Sequence, residues 1–127
     1  MAEATLKGAR VLLLEDEALV NLGTTEILQS MGCVVRSFMR LDEAVKAAHE
    51  ELPDLAVLDV NIHGKMSYEL AEWLDTRQIP IVFVTGYDSP GIVGKWRERP
   101  VCQKPFNPAQ FQNLLAKALA ARRDVGT

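Results

Sequence analysis

The amino-acid sequence predicts an α/β fold in which five parallel strands, in the order 2-1-3-4-5, are covered on both faces by five helices. Five short apolar runs recur along the 127 residues, and amphipathic helical patterns separate them. Polar residues able to do chemistry follow every run except the second. Regular alternation of strands and helices indicates a doubly wound parallel sheet. Five strands are too few for an eight-stranded barrel, so we expect the sheet to be open.

The predicted strands are short apolar runs that contain β-branched and aromatic residues. They cover residues 9–14, 33–38, 54–58, 79–84 and 100–103. The third run, from Leu55 to Leu58, has no polar residue and ends directly at Asp59. An unbroken apolar run is typical of a strand that is buried on both faces of a parallel sheet.

The first and last predicted helices have clear end signals. The first covers about 17–31 and is followed by Gly32, because glycine readily adopts the positive φ that ends many helices. The last begins at Asn107, which can cap the helix, and Pro108, which fits the first helical turn.

Apolar spacings of three and four residues predict two helices between the second and fourth strands. Their apolar residues are Leu41, Ala44, Val45 and Ala48 in the second helix, and Met66, Leu70, Trp73 and Leu74 in the third. A fourth helix over 89–96 is the weakest, since Gly91 and Gly94 each cost about 1 kcal/mol relative to alanine.

Length and composition predict one domain over residues 1–127, with a core from about 8 to 122, frayed termini and no output domain. The net charge of −3 gives no support for nucleic-acid binding. No apolar run approaches the roughly 18 residues of a membrane span, and no signal peptide is visible. Cys33 and Cys102 lie at opposite sheet edges of the prediction, so we expect free buried thiols and a cytoplasmic location.

Polar residues gather at the carboxyl ends of the predicted strands, where open parallel sheets place their sites. They are Glu15, Asp16 and Glu17 after the first strand, Asp59 after the third, Thr85 after the fourth and Lys104 after the fifth. Any one acid taken alone is more often a helix cap or a solvated charge. Several acids in one cleft need a cation, and oxygen ligands suit Mg²⁺. A hydroxyl and an ammonium group opposite the metal suit a phosphoryl group.

The motifs "LLLEDE", "LAVLDVNIHG", "VFVTGY" and "QKPF" resemble those of the receiver domain of two-component response regulators, over essentially the whole chain. The resemblance implies a flavodoxin-like receiver fold and makes Asp59 the phosphoacceptor. It implies that Mg²⁺ is bound directly by Asp16, through water by Glu15, and by the backbone carbonyl of Asn61. Thr85 would be the switch hydroxyl and Lys104 would contact the phosphoryl oxygens.

The same resemblance implies a histidine kinase or phosphotransfer protein as phosphodonor and an unknown downstream protein as target. The net charge and the short apolar runs lead us to expect no nucleic-acid or membrane partner. The resemblance implies no enzyme activity beyond the domain's own phosphorylation and dephosphorylation. It also implies a cis peptide between Lys104 and Pro105. "FVTGY" and "DVN" are similar to the FATGUY group of single-domain regulators, which is associated with HWE-type kinases.

One position departs from the usual receiver pattern. Most receivers carry Tyr or Phe three residues before the lysine, and here that residue is Val101, which excludes an aromatic rotamer switch there. Tyr87 is the candidate for part of that role, and simple packing on its loop is the alternative. We therefore expect the output change in residues 85–97 and the adjoining face of the last helix.

Two other function classes also combine features of this kind. A haloacid-dehalogenase-like phosphohydrolase uses an aspartate nucleophile, but it needs a second acid where this chain has Asn61. A pseudo-receiver is disfavoured by the complete acid set, and a flavodoxin relative by the lack of a Ser/Thr/Gly-rich loop after the first strand.

Four further side chains have ordinary structural interpretations. His63 is expected to be an exposed loop residue with no ligand set beside it, and His49 to be solvated at a helix end. Trp73 is expected in the core. Trp96 is a candidate anchor for a partner, with core packing as the alternative.

Overall fold

The computed structural model of the protein describes residues 6–86, 94, 96, 99–104 and 107–125. Its elements in chain order are β1 (Arg10–Leu14), α1 (Ala18–Ser30), β2 (Val34–Phe38), α2 (Leu41–Glu50), β3 (Leu55–Asp59), β4 (Asn61–Ile62), β5 (Lys65–Met66), α3 (Tyr68–Thr76), β6 (Ile81–Thr85), β7 (Val101–Gln103) and α4 (Pro108–Val125). Five strands form one sheet in the order β2-β1-β3-β6-β7, and every pair in it is parallel. The predicted strand order is confirmed.

The sheet separates two apolar cores, as a doubly wound fold requires. Alternate residues of each strand point to opposite faces. One core joins the sheet to α2 and α3, and its strand residues are Leu12, Leu14, Ala56, Leu58, Ile81 and Phe83. The other joins it to α1 and α4, and its strand residues are Val11, Leu13, Leu55, Val57, Val82, Val84 and Cys102. All five residues of β3 are buried, so Asp59 ends the most enclosed strand of the sheet.

The predicted helix ends agree closely with the structure. Gly32 follows α1 with φ +90°, and a Cβ there would lie 3.0 Å from the Lys7 Cα, so glycine is needed for both conformation and space. Asn107 caps α4, because its Oδ1 accepts the N–H groups of Ala109 at 2.9 Å and Gln110 at 3.2 Å. The predicted fourth helix lies outside the described residues, apart from positions 94 and 96. Tyr87 and the Lys104–Pro105 peptide also lie outside them.

The prediction for the third helix was wrong at its start. Met66 belongs to β5 and is 40% exposed, and α3 begins only at Tyr68. β4 and β5 form a two-stranded antiparallel hairpin whose two-residue turn is His63 and Gly64. Both turn residues have positive φ, +51° and +84°, as in a type I′ turn. Strands of two residues are too short to show a periodic pattern, so the apolar spacing predicts a helix that runs through Met66.

Two aromatic residues also differ in part from expectation. Trp96 is 6% exposed and packs edge-on against Phe83 at 5.6 Å and stacked with Tyr68 at 6.2 Å. Of the two interpretations of Trp96, core packing is confirmed and the partner-facing anchor is wrong. Trp73 is only half-buried, and the exposed His49 stacks on it at 3.9 Å.

The remaining general expectations concern the thiols and membrane segments. Cys33 and Cys102 are both buried and free. Among the described residues, no helix combines the length and the apolar character needed to cross a membrane.

Candidate functional site

The carboxyl ends of four neighbouring strands bring the predicted residues to one edge of the sheet. Glu15 directly follows β1, Asp59 ends β3, Thr85 ends β6 and Lys104 directly follows β7. Parallel pairing fixes this arrangement, because Asp59 lies opposite Val84 and Thr85 lies opposite Gln103. β2 lies at the sheet edge beyond β1 and contributes none of the predicted residues.

Lys104 is the centre of the site. Its Nζ lies 2.9 Å from Glu15 Oε1, 3.2 Å from Asp59 Oδ2 and 3.4 Å from Glu17 Oε1. Glu15 is 2% exposed and Asp59 is 4% exposed, so both carboxylates depend on this ammonium group for most of their charge compensation. Its contact with Glu17 is the outermost, since the Glu17 side chain is mostly exposed.

Burial and charge act in opposite directions on these groups. Burial raises the pKa of Glu15 and of Asp59, and the hydrogen bond and charge of Lys104 only partly oppose that rise. Burial alone would lower the pKa of Lys104, but its hydrogen bond to Glu15 and the charge of Asp59 outweigh this and raise that pKa. The lysine is therefore held protonated, and burial disfavours the charged forms of the two acids.

Asp16 contacts the hairpin. Its Oδ2 accepts the backbone N–H of His63 at 2.9 Å, and the His63 Nδ1 lies 3.8 Å from the same oxygen. Carboxylate oxygens of Glu15, Asp16 and Glu17 can all be found within 4.8 Å of one another. His63 is an exposed turn residue, as expected, and its ring belongs to no ligand group among the described residues; the contact of its backbone N–H with Asp16 was not predicted.

The backbone beside Asp59 is also fixed. The N–H of Asn61 donates to Asp59 Oδ1 at 3.3 Å, and the Asn61 Oδ1 accepts the N–H of Gly64 at 2.8 Å. The Asn61 side chain is thus used inside the hairpin, and its backbone N–H is the part that contacts the Asp59 carboxylate.

The donor set fits Mg²⁺. Among the described residues, four carboxylates, those of Glu15, Asp16, Glu17 and Asp59, lie at this edge with one ammonium group, that of Lys104. The four carboxylates are hard oxygen donors, and Mg²⁺ binds a few carboxylates together with water and phosphate oxygens. A divalent cation would offset the excess negative charge of this cluster.

Thr85 and Val101 lie where the sequence predicted them. Thr85 is half-buried at the end of β6, and its carbonyl accepts the N–H of Lys104 at 2.7 Å, which ties β6 to the residue after β7. Val101 is 38% exposed and lies opposite Phe83 in the sheet. Val101 has no ring to rotate.

Sequence reasoning missed two residues that support the site. Ser67 is fully buried, and its hydroxyl donates to the Asp59 backbone oxygen at 2.7 Å. The Asn21 amide joins α1 to the sheet edge by donating to the backbone oxygens of Glu15 at 3.0 Å and Phe38 at 3.1 Å. No sequence signal pointed to Ser67, because the hairpin that precedes it has strands of only two residues.

A family sequence model and individual relatives are both similar to this chain. The sequence model described as response regulator receiver domain matches residues 11–116. The phyllosphere-induced regulator PhyR of Methylorubrum extorquens is 30% identical over 117 residues, which are 86% of this chain and 43% of PhyR. The transcriptional regulatory protein PdtaR of Mycobacterium tuberculosis is 28% identical over 121 residues, which are 91% of this chain and 59% of PdtaR. The chain spans only about half the length of these relatives.

Solved structures agree with the sequence comparison. SdrG from Sphingomonas melonis is 34% identical with a TM-score of 0.74, and the match covers 91% of this chain and 96% of SdrG. A receiver protein from Sinorhizobium medicae shares the fold at 22% identity with a TM-score of 0.78, over 92% of this chain and 98% of that one. With the family's sequence model matched over residues 11–116 and the predicted strand order observed, the chain belongs to the response regulator receiver domain family.

Proposed function

We propose that Asp59 accepts a phosphoryl group from the phosphoimidazole of a histidine kinase or phosphotransfer protein. The observation that carries this proposal is the contact of Lys104 with a 4%-exposed carboxylate at the end of the central strand. An ammonium group at 3.2 Å from the acceptor oxygen is well placed to bind an oxygen of the incoming phosphoryl group. The resemblance of the four motifs supports the same assignment.

In this mechanism an Asp59 oxygen attacks phosphorus in line with the leaving imidazole nitrogen. The new O–P bond forms an acyl phosphate, and the P–N bond breaks with its electron pair remaining on the imidazole. Lys104 and the hydroxyl of Thr85 bind phosphoryl oxygens. When bound, Mg²⁺ would neutralise charge on those oxygens. Asp16, Asp59 and the backbone carbonyl of Asn61 would hold it, with Glu15 acting through water.

Hydrolysis of the acyl phosphate by water restores Asp59, so the reaction resets the protein and converts no separate substrate. The domain is regulatory on this account. The haloacid-dehalogenase alternative gains no support, because the second acid it needs is replaced by Asn61, whose side chain is engaged by Gly64.

The output is proposed to begin at Lys104 and Thr85. A phosphoryl group adds nearly two negative charges, which compete with Glu15 and Glu17 for the Lys104 ammonium. Because the Lys104 N–H is bonded to the Thr85 carbonyl, a shift at either residue reaches the ends of both β6 and β7. We propose that the conformational change passes from there to Tyr87 and the segment 85–97, since Val101 has no aromatic ring that could rotate.

The partners are proposed to be proteins. The FATGUY resemblance makes an HWE-type histidine kinase the proposed phosphodonor. PhyR from Bartonella quintana is described as an anti-anti-sigma factor, and its structure is 22% identical to this chain with a TM-score of 0.77 over 94% of the chain. That likeness supports the fold, and it is compatible with output through protein–protein contact.

The proposal is tested by intact-protein mass after incubation with acetyl phosphate. We expect one added phosphoryl group in the presence of Mg²⁺ and none in excess EDTA. Asp59→Asn should gain none. Asp54→Asn is the matched control, because Asp54 precedes the other end of β3 and its Oδ2 accepts the Arg10 N–H far from the site. Equal phosphorylation of Asp59→Asn and the unsubstituted protein would refute the assignment.

A further inference from the structure

The β4–β5 hairpin, residues 61–66, contacts the two acids that the proposed function assigns to direct metal binding. Its first residue, Asn61, donates its N–H to Asp59 Oδ1 at 3.3 Å. Its tip residue, His63, donates its N–H to Asp16 Oδ2 at 2.9 Å. Asp16 follows β1 and Asp59 ends β3, so the hairpin bridges the ends of two adjacent strands.

The hairpin is anchored at its base as well as at its tip. The Ser67 hydroxyl donates to the Asp59 backbone oxygen at 2.7 Å, and the Ser67 N–H donates to the Val60 oxygen at 2.9 Å. Ile62 is 1% exposed and packs in the core under α2 and α3. The ribbon is therefore anchored at its base, and its tip is joined to Asp16.

The turn aims a backbone donor at Asp16. His63 has φ +51° and Gly64 has φ +84°, so both residues occupy the left-handed region. A non-glycine residue at positive φ is uncommon, and a type I′ turn is one of the few settings that require it. The Gly64 N–H is used within the hairpin by Asn61 Oδ1 at 2.8 Å, while the His63 N–H points outward to the carboxylate.

We propose that the tip of this hairpin is a positioning element for Asp16, through the His63 backbone N–H. The inference deepens the proposed function and rests on its assignment of Asp16 to the metal. The hydrogen bond uses Oδ2 and leaves Oδ1 for the cation. It also fixes the Asp16 rotamer before the cation binds, so that binding costs less side-chain conformational entropy. Hydrogen bonds to metal-binding carboxylates commonly set metal affinity by about 10- to 100-fold.

The backbone, and not the imidazole ring, makes this contact. The His63 Nδ1 lies 3.8 Å from Asp16 Oδ2, beyond hydrogen-bond distance, and the ring is 59% exposed. Asparagine tolerates the left-handed conformation and is favoured in type I′ turns. His63→Asn should therefore keep the hydrogen bond to Asp16.

The test compares Mg²⁺ affinity across turn variants, measured by titration calorimetry on the full chain. Gly64→Val places a β-branched residue at φ +84° and should disrupt the turn, although open space surrounds its Cβ. We expect its Kd for Mg²⁺ to rise about tenfold. Gly64→Ala imposes a milder strain and should raise the Kd about threefold, which provides the measurement if Gly64→Val does not fold. His63→Asn should bind within about twofold of the unsubstituted protein.

Gly8→Val is the matched control. Gly8 has φ +79° and open space where a Cβ would lie, so valine there meets the same backbone strain as at Gly64. The Gly8 N–H donates to the Gly32 oxygen and makes no contact with the site. The Kd of Gly8→Val for Mg²⁺ should be unchanged. In the metal-free protein, the amide proton resonance of His63 should move upfield in Asp16→Ala, since the charged acceptor is lost.

Each outcome separates this inference from the proposed function. An unsubstituted protein that binds no Mg²⁺ refutes both. A protein that binds Mg²⁺, with Gly64→Ala and Gly64→Val within twofold of it, refutes the positioning role alone. An equal loss of affinity in Gly8→Val, or a His63 amide that does not respond to Asp16→Ala, also refutes the positioning role.

Discussion

Replacing Lys104 with methionine should destabilise the protein most at neutral pH, because the change leaves two enclosed carboxylates without their cation. Methionine keeps most of the length and apolar character of the side chain and removes only the ammonium group. Glu15 and Asp59 would then lose contacts of 2.9 and 3.2 Å. At an effective dielectric constant of about 20, each contact corresponds to about 5 kcal/mol of gross Coulomb energy, much of which desolvation of the ions offsets.

The net cost is smaller than those gross energies. Removing one partner of a buried ion pair costs about 3–5 kcal/mol. The Lys104 side chain is 14% exposed and the acids can take up protons, so we expect the lower end, about 3 kcal/mol at pH 7. For a domain of this size that is a fall in Tm of about 10 °C.

The pH dependence identifies the cause. Burial already raises the pKa of Glu15 and Asp59, and loss of the lysine removes the opposing effect and raises both further. A carboxyl group with a raised folded-state pKa favours the fold below its unfolded pKa of about 4, and this contribution is lost as the pH rises through the folded pKa. The deficit of Lys104→Met should therefore be small near pH 4 and grow toward pH 7.

Urea unfolding at several pH values measures this deficit directly. Lys46→Met is the control, since Lys46 is exposed on α2 and its replacement should change the free energy of unfolding by about 0.5 kcal/mol or less. Adding Asp59→Asn to Lys104→Met should recover part of the loss, because one uncompensated carboxylate is removed. A deficit that is the same at pH 4 and pH 7, or no recovery in the double variant, would refute the reasoning.

Three further predictions follow from the site and the core. Asp16→Ala should abolish the Mg²⁺-induced rise in Tm and leave the metal-free protein at least as stable, as thermal unfolding with and without Mg²⁺ would show; a rise that persists would contradict the metal assignment. Trp96→Ala should lower the free energy of unfolding in urea by about 3–5 kcal/mol, because Trp96 is only 6% exposed. A loss below about 1 kcal/mol would instead support the interpretation of Trp96 as a surface anchor. Burial raises the pKa of the Cys33 and Cys102 thiols, so both should react slowly with iodoacetamide at pH 8 until the protein unfolds; rapid labelling of the native protein would contradict their burial.

The sheet was predictable because its strands are long enough to show their pattern. The run from Leu55 to Leu58 indicated a strand buried on both faces, and the rule for open parallel sheets then placed Asp59 beside Lys104. Both expectations agree with the structure, where these two side chains are 3.2 Å apart although 45 positions separate them in the chain.

The local direction of side chains was not predictable in the same way. Asp16 and Glu15 are adjacent in sequence, yet Glu15 contacts Lys104 while Asp16 contacts His63. That difference depends on the hairpin, whose two-residue strands carry no periodic signal. Trp96 was ambiguous because its segment has weak helical preference, and its burial is decided by contacts with Tyr68 and Phe83 from distant elements.

The central claim, that Asp59 carries the phosphoryl group, is tested most directly by trapping the acyl phosphate. Borohydride reduces an aspartyl phosphate to homoserine, and peptide mass spectrometry then locates the converted residue. After incubation with acetyl phosphate and Mg²⁺, we expect homoserine at position 59 and aspartate still present at position 16. Conversion at position 16, or at an exposed acid such as Asp42 in place of Asp59, would contradict the account.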